Sequence, residues 1–318
     1  MKRLATPRWD IPLPNYERDV NEIKRIYRNA INEVILILEE LSTWGKDKHI
    51  SKAQMESVLA QLSVLLREVD KEAEVWIRER IRTAFKNGQA ETILAIGATK
   101  TLEEARKLAS MSALATQTIS ALIDDTFEDL LYANNKMKRE TIKMVRKVVA
   151  EQMKTQVAAG MGRLTTRRAI VTALTKKELR DRFNVEGNVA IIDRLGRRWK
   201  LQTYAEMVTR TKLLQAHIEG TRIEALERGI DLAIISSHGA TDPCSDFEGQ
   251  IISLNGYTEG FLTYEELRAS NLIFHPNCRH KVTPIRDINL LPPKVREKFE
   301  KGRAKAEKAF YTAKSMKK

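Results

Sequence analysis

The chain has 318 residues, enough for two or three domains, and its 42% hydrophobic share can bury a core. Aromatic residues make up only 6%, which favours helices with aliphatic seams over a β-rich sandwich, and the net charge of +13 suggests an anionic partner: nucleic acid, an acidic protein or a membrane surface. Bulk charge alone is equally compatible with a merely soluble surface. With two cysteines, and an N-terminus lacking the apolar run of a signal peptide, the composition argues against a disulfide-stapled secreted protein. No stretch approaches ~18 uninterrupted apolar residues, so no membrane span is expected, and the chain reads as cytoplasmic or as part of a particle assembled in a cytoplasm.

Residues 1–15 carry Pro7, Pro12 and Pro14, which disfavour helix and predict an extended arm lying on something else. From Tyr16 to Leu41, Val20, Ile23, Ile26, Ile31, Val34, Ile35 and Leu38 recur at three- and four-residue steps, the mark of an amphipathic helix. A second helix is expected from Ser51, capped by Ser51 and Gln54, with a stripe through Val58, Leu62, Leu65, Val69, Trp76, Ile77 and Phe85, and a stop at Asn87-Gly88. Thr101 and Glu104 have capping-box spacing and open a helix to Leu131, which Asn134-Asn135 interrupts before a further helix to Ala159. Thr175 and Glu178 cap a shorter one, so residues 16–182 read as a helical domain.

Beyond residue 183 the character changes. Asn188–Leu201 predicts a hairpin around Leu195-Gly196, and Thr203 with Glu206 caps a helix that Gly229 terminates. Strands are expected at Asp231–Ser236 and Gln250–Leu254, a short helix capped by Thr263 and Glu266, and another strand within Ile273–Ile285. The fold class is α+β: an extended arm (1–15), a long helical N-terminal domain (16–182), a small α+β Cys/His domain (183–288) and a basic C-terminal tail (289–318).

Both cysteines and three of the five histidines fall between His238 and His280. Thiolate and imidazole are the donors zinc prefers, and a structural site takes four of them from two chain segments that meet. The first segment offers His238 and Cys244, the second His275, Cys278 and His280. Cys278 and His280 are two residues apart and would share a face of an extended stretch. Cys244, after the turn signal Asp242-Pro243, is the third ligand, and His238 or His275 the fourth. Asp242 and Asp246 are candidates for an oxygen ligand or for orienting an imidazole. Two alternatives remain at this level: a polar turn network around two buried thiols, and a Cys244–Cys278 disulfide, disfavoured in a reducing compartment. A closed structural zinc is expected, since no HExxH or deaminase pattern is present.

The string from His238 to Gly249, the following Gln250–Leu254, and His275-Pro-Asn-Cys-Arg-His280 resemble the C-terminal signature of phage minor capsid proteins: the minor capsid protein 2 family and the related Mu F-like head morphogenesis proteins. The helix carrying Tyr204, Met207, Arg210 and Thr211 fits the same pattern, and the resemblance covers about residues 185–285. It implies a virion protein present in few copies inside the head near the portal, taking part in head assembly, DNA packaging or DNA delivery. Its partners would be portal protein, capsid proteins and phage DNA. The family's Cys and His positions fall on Cys244, Cys278 and His280, with His238 and His275 as further candidates. Relatives often place a second thiol or a histidine near position 244, where this chain has Asp242 instead, so the fourth ligand stays open.

Residues 294–318 hold ten Lys/Arg against three Asp/Glu, a tail helical at its start and frayed at its end. Lys294, Arg296, Lys298, Lys301, Arg303 and Lys305 are its candidate phosphate contacts, which position a nucleic acid without reading its sequence. The pairs Arg167-Arg168, Lys176-Lys177 and Arg197-Arg198 are weaker candidates. The rival reading is a metal-dependent nuclease or toxin-like enzyme using Asp246 or Glu248.

Overall fold

A computed structural model describes residues 8–44, 52–159, 191–192 and 198–316. Its helices are α1 (Glu17–Trp44), α2 (Lys52–Ala95), α3 (Leu102–Leu108), α4 (Ala113–Ala159), α5 (Leu201–Glu227), α6 (Tyr264–Ser270) and α7 (Pro293–Met316). Its strands are β1 (Ile191–Ile192), β2 (Arg198–Trp199), β3 (Leu232–Ile235), β4 (Ile251–Ser253) and β5 (Val282–Pro284). The chain is mostly helical with a small antiparallel sheet near its C-terminal end, an α+β arrangement. The expected Thr175–Glu178 helix and the three paired-cation sites lie wholly or partly outside the described residues.

Two compact units form, and neither is continuous in sequence: one takes Met1–Glu17, Arg78–Asp124 and Arg210–Lys318, the other Arg18–Ile77 and Asp125–Thr209. Division of the chain in linear order, as read from composition, differs from this because α2, α4 and α5 each run through both units.

In the second unit the α1 seam forms as its periodicity dictates: Val20, Ile23, Val34, Ile35 and Leu38 are buried. The seam of α2 shifts by one residue, with Leu66 buried in place of Leu65, beside Val58, Leu62 and Val69. Asn134 does not interrupt α4. It is buried, and its amide donates to the Asp70 carboxylate, so a tertiary hydrogen bond outweighs the weak helix propensity of asparagine. The β1–β2 pairing joins Ile191 to Trp199, the expected hairpin.

The first unit holds the three-stranded sheet, order β4-β3-β5, with β3 central and antiparallel to both neighbours. Both faces are covered. Ala233, Ile235, Ile252 and Val282 pack in one cluster with α5 residues Ile218 and Ala225, while Ile234, Ile251 and Ile285 pack in another with Leu291 and Phe299. The basic tail, expected to be helical at its start and frayed at its end, is helical as far as Met316. It is the ordered helix α7, which buries Phe299, Ala306 and Phe310 across both clusters.

Helix α2 passes through Gly88 to Ala95 rather than stopping there. A Cβ on Gly88 would meet backbone atoms of α5, so a residue that weakens the helix locally lets two helix backbones touch. Helix α5 starts at Leu201, ahead of the expected cap at Thr203. Its end is a Schellman motif: Gly229 (φ 70°) donates to Leu226 and Ile230 to Ala225. The Thr101–Glu104 and Thr263–Glu266 caps form as expected, the latter as a complete capping box, though Thr101 opens the seven-residue α3 and not a helix to Leu131.

The described part of the arm, residues 8–15, lies on its own chain. Arg8 N donates to Ala95 O, and Ile11 packs against Ala90, Ile93, Leu94 and Ala105.

Candidate metal centre

Two turns bring the thiols together. Asp242 accepts a hydrogen bond from Cys244 N and, with Pro243 behind it, starts the 3₁₀ turn Pro243–Phe247 that carries Cys244 into the core. In the second segment Cys278 N donates to His275 O (2.9 Å), closing a β-turn with Pro276 and Asn277 at its centre, and Asn277 has φ 65°. Proline followed by a residue that tolerates positive φ is the signature of a type II turn. The expected strand therefore begins only at Val282: Cys278 closes the turn, and His280 lies between the turn and the strand.

Cys244, Cys278 and His280 are all buried, and their ligand atoms lie within 4.8 Å of one another. The sulfurs are 3.9 Å apart, and Cys278 Sγ is 3.3 Å from His280 Nδ1. Tetrahedral zinc with ordinary bond lengths puts two sulfurs about 3.8 Å apart and a sulfur and an imidazole nitrogen about 3.6 Å apart. His275 joins from the Cys244 side, with Nε2 2.8 Å from Cys244 Sγ and 3.5 Å from Asp242 Oδ2. His238 lies on the far side: its ring packs on that of His280, centroids 4.3 Å apart, and its grouping is with Glu248 and His280. His275, not His238, thus stands beside a cysteine sulfur.

The histidines are oriented as ligands require. His275 Nδ1 is 2.9 Å from Pro276 O, and His280 Nε2 is 3.2 Å from Glu248 Oε1. A proton on each of those nitrogens leaves the other nitrogen's lone pair facing a sulfur. Glu248 is the carboxylate that orients an imidazole. Asp246, expected in this role from sequence, instead pairs with Lys305 at 2.7 Å. Burial works against the Glu248 charge, but the N–H groups of His238 and Ala240 and the His280 ring hold its pKa down, to about 2. The contact between the thiols and the His280 ring pull the Cys278 thiol far below its ordinary value against the effect of burial, while Cys244 is pushed up. The two thiols titrate together, and of the two Cys278 is the one whose ionised form is favoured.

The chain matches the phage minor capsid protein 2 family over residues 16–317, nearly its whole length. It belongs to that family. It is therefore a structural phage protein of the virion, with capsid proteins as partners. Neither a curated protein nor a solved structure matches it. No described helix of this minor capsid protein is long and apolar enough to cross a membrane.

The six candidate phosphate contacts on α7 divide between two environments. Lys294, Lys298, Lys301 and Lys305 are exposed at four- and three-residue steps and line one cleft of about 460 Å³, which also holds Asp246 and Glu248. Lys298 reaches Ser237 Oγ at 3.0 Å and Lys301 reaches Glu297 at 2.6 Å. Arg303 turns to the protein, stacking over Phe261 and Phe299 and bonding Glu307 and Gly260 O. Arg296 turns towards Asn289.

Sequence reasoning missed the partners of three groups. Glu248 reads from sequence only as an acid or base. Lys281 is almost fully buried and pairs with Glu91 at 2.6 Å, which is also 3.1 Å from His217 Nε2, while Tyr16 Oη reaches His217 Nδ1 at 2.9 Å. Arg210 pairs with Glu17, the first residue of α1. Only the Pro276-Asn277 turn signature could have pointed to a constrained loop beside them.

Proposed function

We propose that this minor capsid protein works inside the head of a tailed phage, near the portal. It assists head assembly and DNA packaging or delivery, and contacts DNA without reading its sequence. The observation carrying the reading is the lysine ladder of α7 on a protein of the virion. Lys294 to Lys305 spans about 16 Å of helix, the length of about five phosphates along one strand of a duplex. Lysine ammonium groups are point charges suited to phosphate without base readout. Synthesis and assembly take place in the host cytoplasm.

Zinc fits the Cys/His cluster. Cys244, Cys278, His280 and His275 supply two sulfurs and two imidazoles, and His275 completes the set by a small swing from Cys244. Bound there, zinc would act structurally, tying the 3₁₀ turn and the 275–280 turn to the sheet. The rival reading, a metal-dependent nuclease, draws on Asp246 and Glu248 lining the lysine cleft. It has less support, because Glu248 already accepts three hydrogen bonds and Asp246 is paired with Lys305.

The test is binding of the full chain to duplex DNAs of unrelated sequence across a salt series. A steep fall in affinity with salt and equal affinity for all sequences is the expected result. Binding that ignores salt, or no binding, refutes the DNA contact. DNA cleavage abolished by chelation and by Glu248→Ala, with the fold intact, would favour the nuclease.

A further inference from the structure

We propose that Glu17, Arg210 and Asn277 form a positioning relay that holds the Cys278 turn in metal-binding geometry, so that the N-terminal segment sets the affinity of the metal centre. The inference rests on reading Cys244, Cys278, His280 and His275 as ligands.

Arg210 uses its whole fork. Nε and Nη2 reach Glu17 Oε1 at 3.3 and 3.2 Å, Nη2 also reaches Oε2 at 3.1 Å, and Nη1 donates to Asn277 Oδ1 at 3.3 Å. Thr211, the next residue of α5, accepts from Asn277 N at 3.1 Å. Asn277 is therefore gripped at its backbone and its side chain by two consecutive residues of one helix. It is also a residue in the left-handed region (φ 65°), which side chains rarely adopt, and Phe274, the residue before the turn, shares it (φ 59°). A turn with one non-glycine residue at positive φ inside it and another leading into it needs outside support to keep one conformation. Cys278 follows Asn277 directly, and His275 opens the same turn, so both ligands move with it.

The choice of residues suits the role. Asparagine tolerates positive φ and offers a carbonyl; glycine would accept the backbone but lose the grip. Arginine's planar fork binds a carboxylate and an amide at once, where lysine's point charge would choose one. Glu17 also lies 3.9 Å from Arg279, between Cys278 and His280. A cavity of about 280 Å³ lined by Asn15, Tyr16, Glu17, Arg210, Cys278 and Arg279 lies beside the buried thiol, so the segment that closes the relay also covers one ligand.

The experiment measures zinc affinity of the full chain by competition with a chelator, and the visible spectrum of cobalt(II) as a report of tetrahedral thiolate coordination. Arg210→Met, Glu17→Gln and Asn277→Gly are each expected to weaken zinc by about tenfold or more, the usual effect of removing groups that orient ligands, with a loosened cobalt spectrum. Arg210→Lys is expected to stay weak. Arg222→Met, which cuts a separate arginine network on Leu254 O, Glu219 and Glu265, is expected to leave affinity unchanged and so separates the relay from general loss of stability. Glu17→Gln and Arg210→Met change local charge in opposite senses. A purely electrostatic influence would move affinity in opposite directions, and that result overturns the relay, as does wild-type affinity in both. Wild-type protein that takes up no metal overturns the metal reading together with the relay.

Discussion

Gly88 and Gly220 press two helices together backbone to backbone. A Cβ on Gly88 would stand 1.9 Å from His217 O, and one on Gly220 2.1 Å from Phe85 O. Thr92 Oγ1 and Thr221 Oγ1 bond across the same crossing, to Thr221 O and Gly88 O. The crossing fixes residues 78–95 against 210–227, the helical segments that carry Glu91, His217 and Arg210.

Gly88→Ala and Gly220→Ala are expected to destabilise the protein despite alanine's better helix propensity. The backbone cannot yield as a flexible side chain would, so the loss should reach or exceed the ~1–3 kcal/mol typical of overpacking. Urea unfolding of each variant measures it; a variant more stable than wild type would mean that the helices separate freely.

Metal removal should loosen the first unit. A chelator is expected to lower the melting temperature of wild-type protein and to leave Cys278→Ser unchanged, with elemental analysis finding zinc only in the former. Glu248→Gln keeps the shape but loses the carboxylate that orients His280, so zinc affinity should fall by about 10–100-fold. Zinc retained in Cys278→Ser would exclude the proposed ligand set.

Lys281 and Glu91 form a buried charge pair, and breaking one side should cost more than removing both. Glu91→Gln leaves the Lys281 ammonium without its carboxylate and is expected to cost about 3–5 kcal/mol, while Glu91→Leu with Lys281→Met should cost less. At Lys281 burial outweighs Glu91 and lowers the pKa. At Glu91 burial is outweighed by His217 and Lys281, and the pKa is lowered too. Chemical denaturation of the three proteins checks the order; a double variant that loses as much stability as Glu91→Gln, or more, would mean that the two groups are not coupled.

Asp231 organises the loop after β4. It accepts hydrogen bonds from Ser253 Oγ, Asn255 N and Thr258 N, and these outweigh burial to hold its carboxyl below the usual range. The folded pKa lies below the unfolded one, so the stabilisation is present above about pH 4 and disappears as the pH falls through the folded value. Asp231→Asn should lower stability at neutral pH and flatten the acid limb of a stability–pH curve. An unchanged acid limb would show that Asp231 titrates alike in both states.

Within α7 the lysines and arginines should respond differently. Lys294→Gln or Lys298→Gln is expected to flatten the slope of log affinity for DNA against log salt by about 0.9 for each phosphate no longer neutralised, at unchanged melting temperature. Arg303→Gln, which removes a stack on two phenylalanines, should instead lower the melting temperature with little change in slope. An equal effect of all three on the slope would argue against the separate roles of the two faces.

What could be read along the chain was whatever rests on neighbours in sequence. The α1 stripe, the caps at Thr101 and Thr263, the Gly229 stop and the gathering of Cys and His between 238 and 280 each depend on spacings of a few residues, and each forms in the folded chain. The same local logic failed at Gly88 and Asn134, because their helix-breaking tendency is worth about a kilocalorie and a distant partner outweighs it. It also read the ten cations after residue 293 as a solvated tail, helical only at its start, where Phe299, Ala306 and Phe310 at helical spacing bury a face against the sheet. Which histidine stands beside Cys244, which carboxylate holds His280, and that Glu17 grips the Cys278 turn from 193 residues before Arg210 follow from three-dimensional approach alone. Short-range spacing chooses the elements, but the partners of a buried polar group are set by packing, which brings together residues that no local pattern connects.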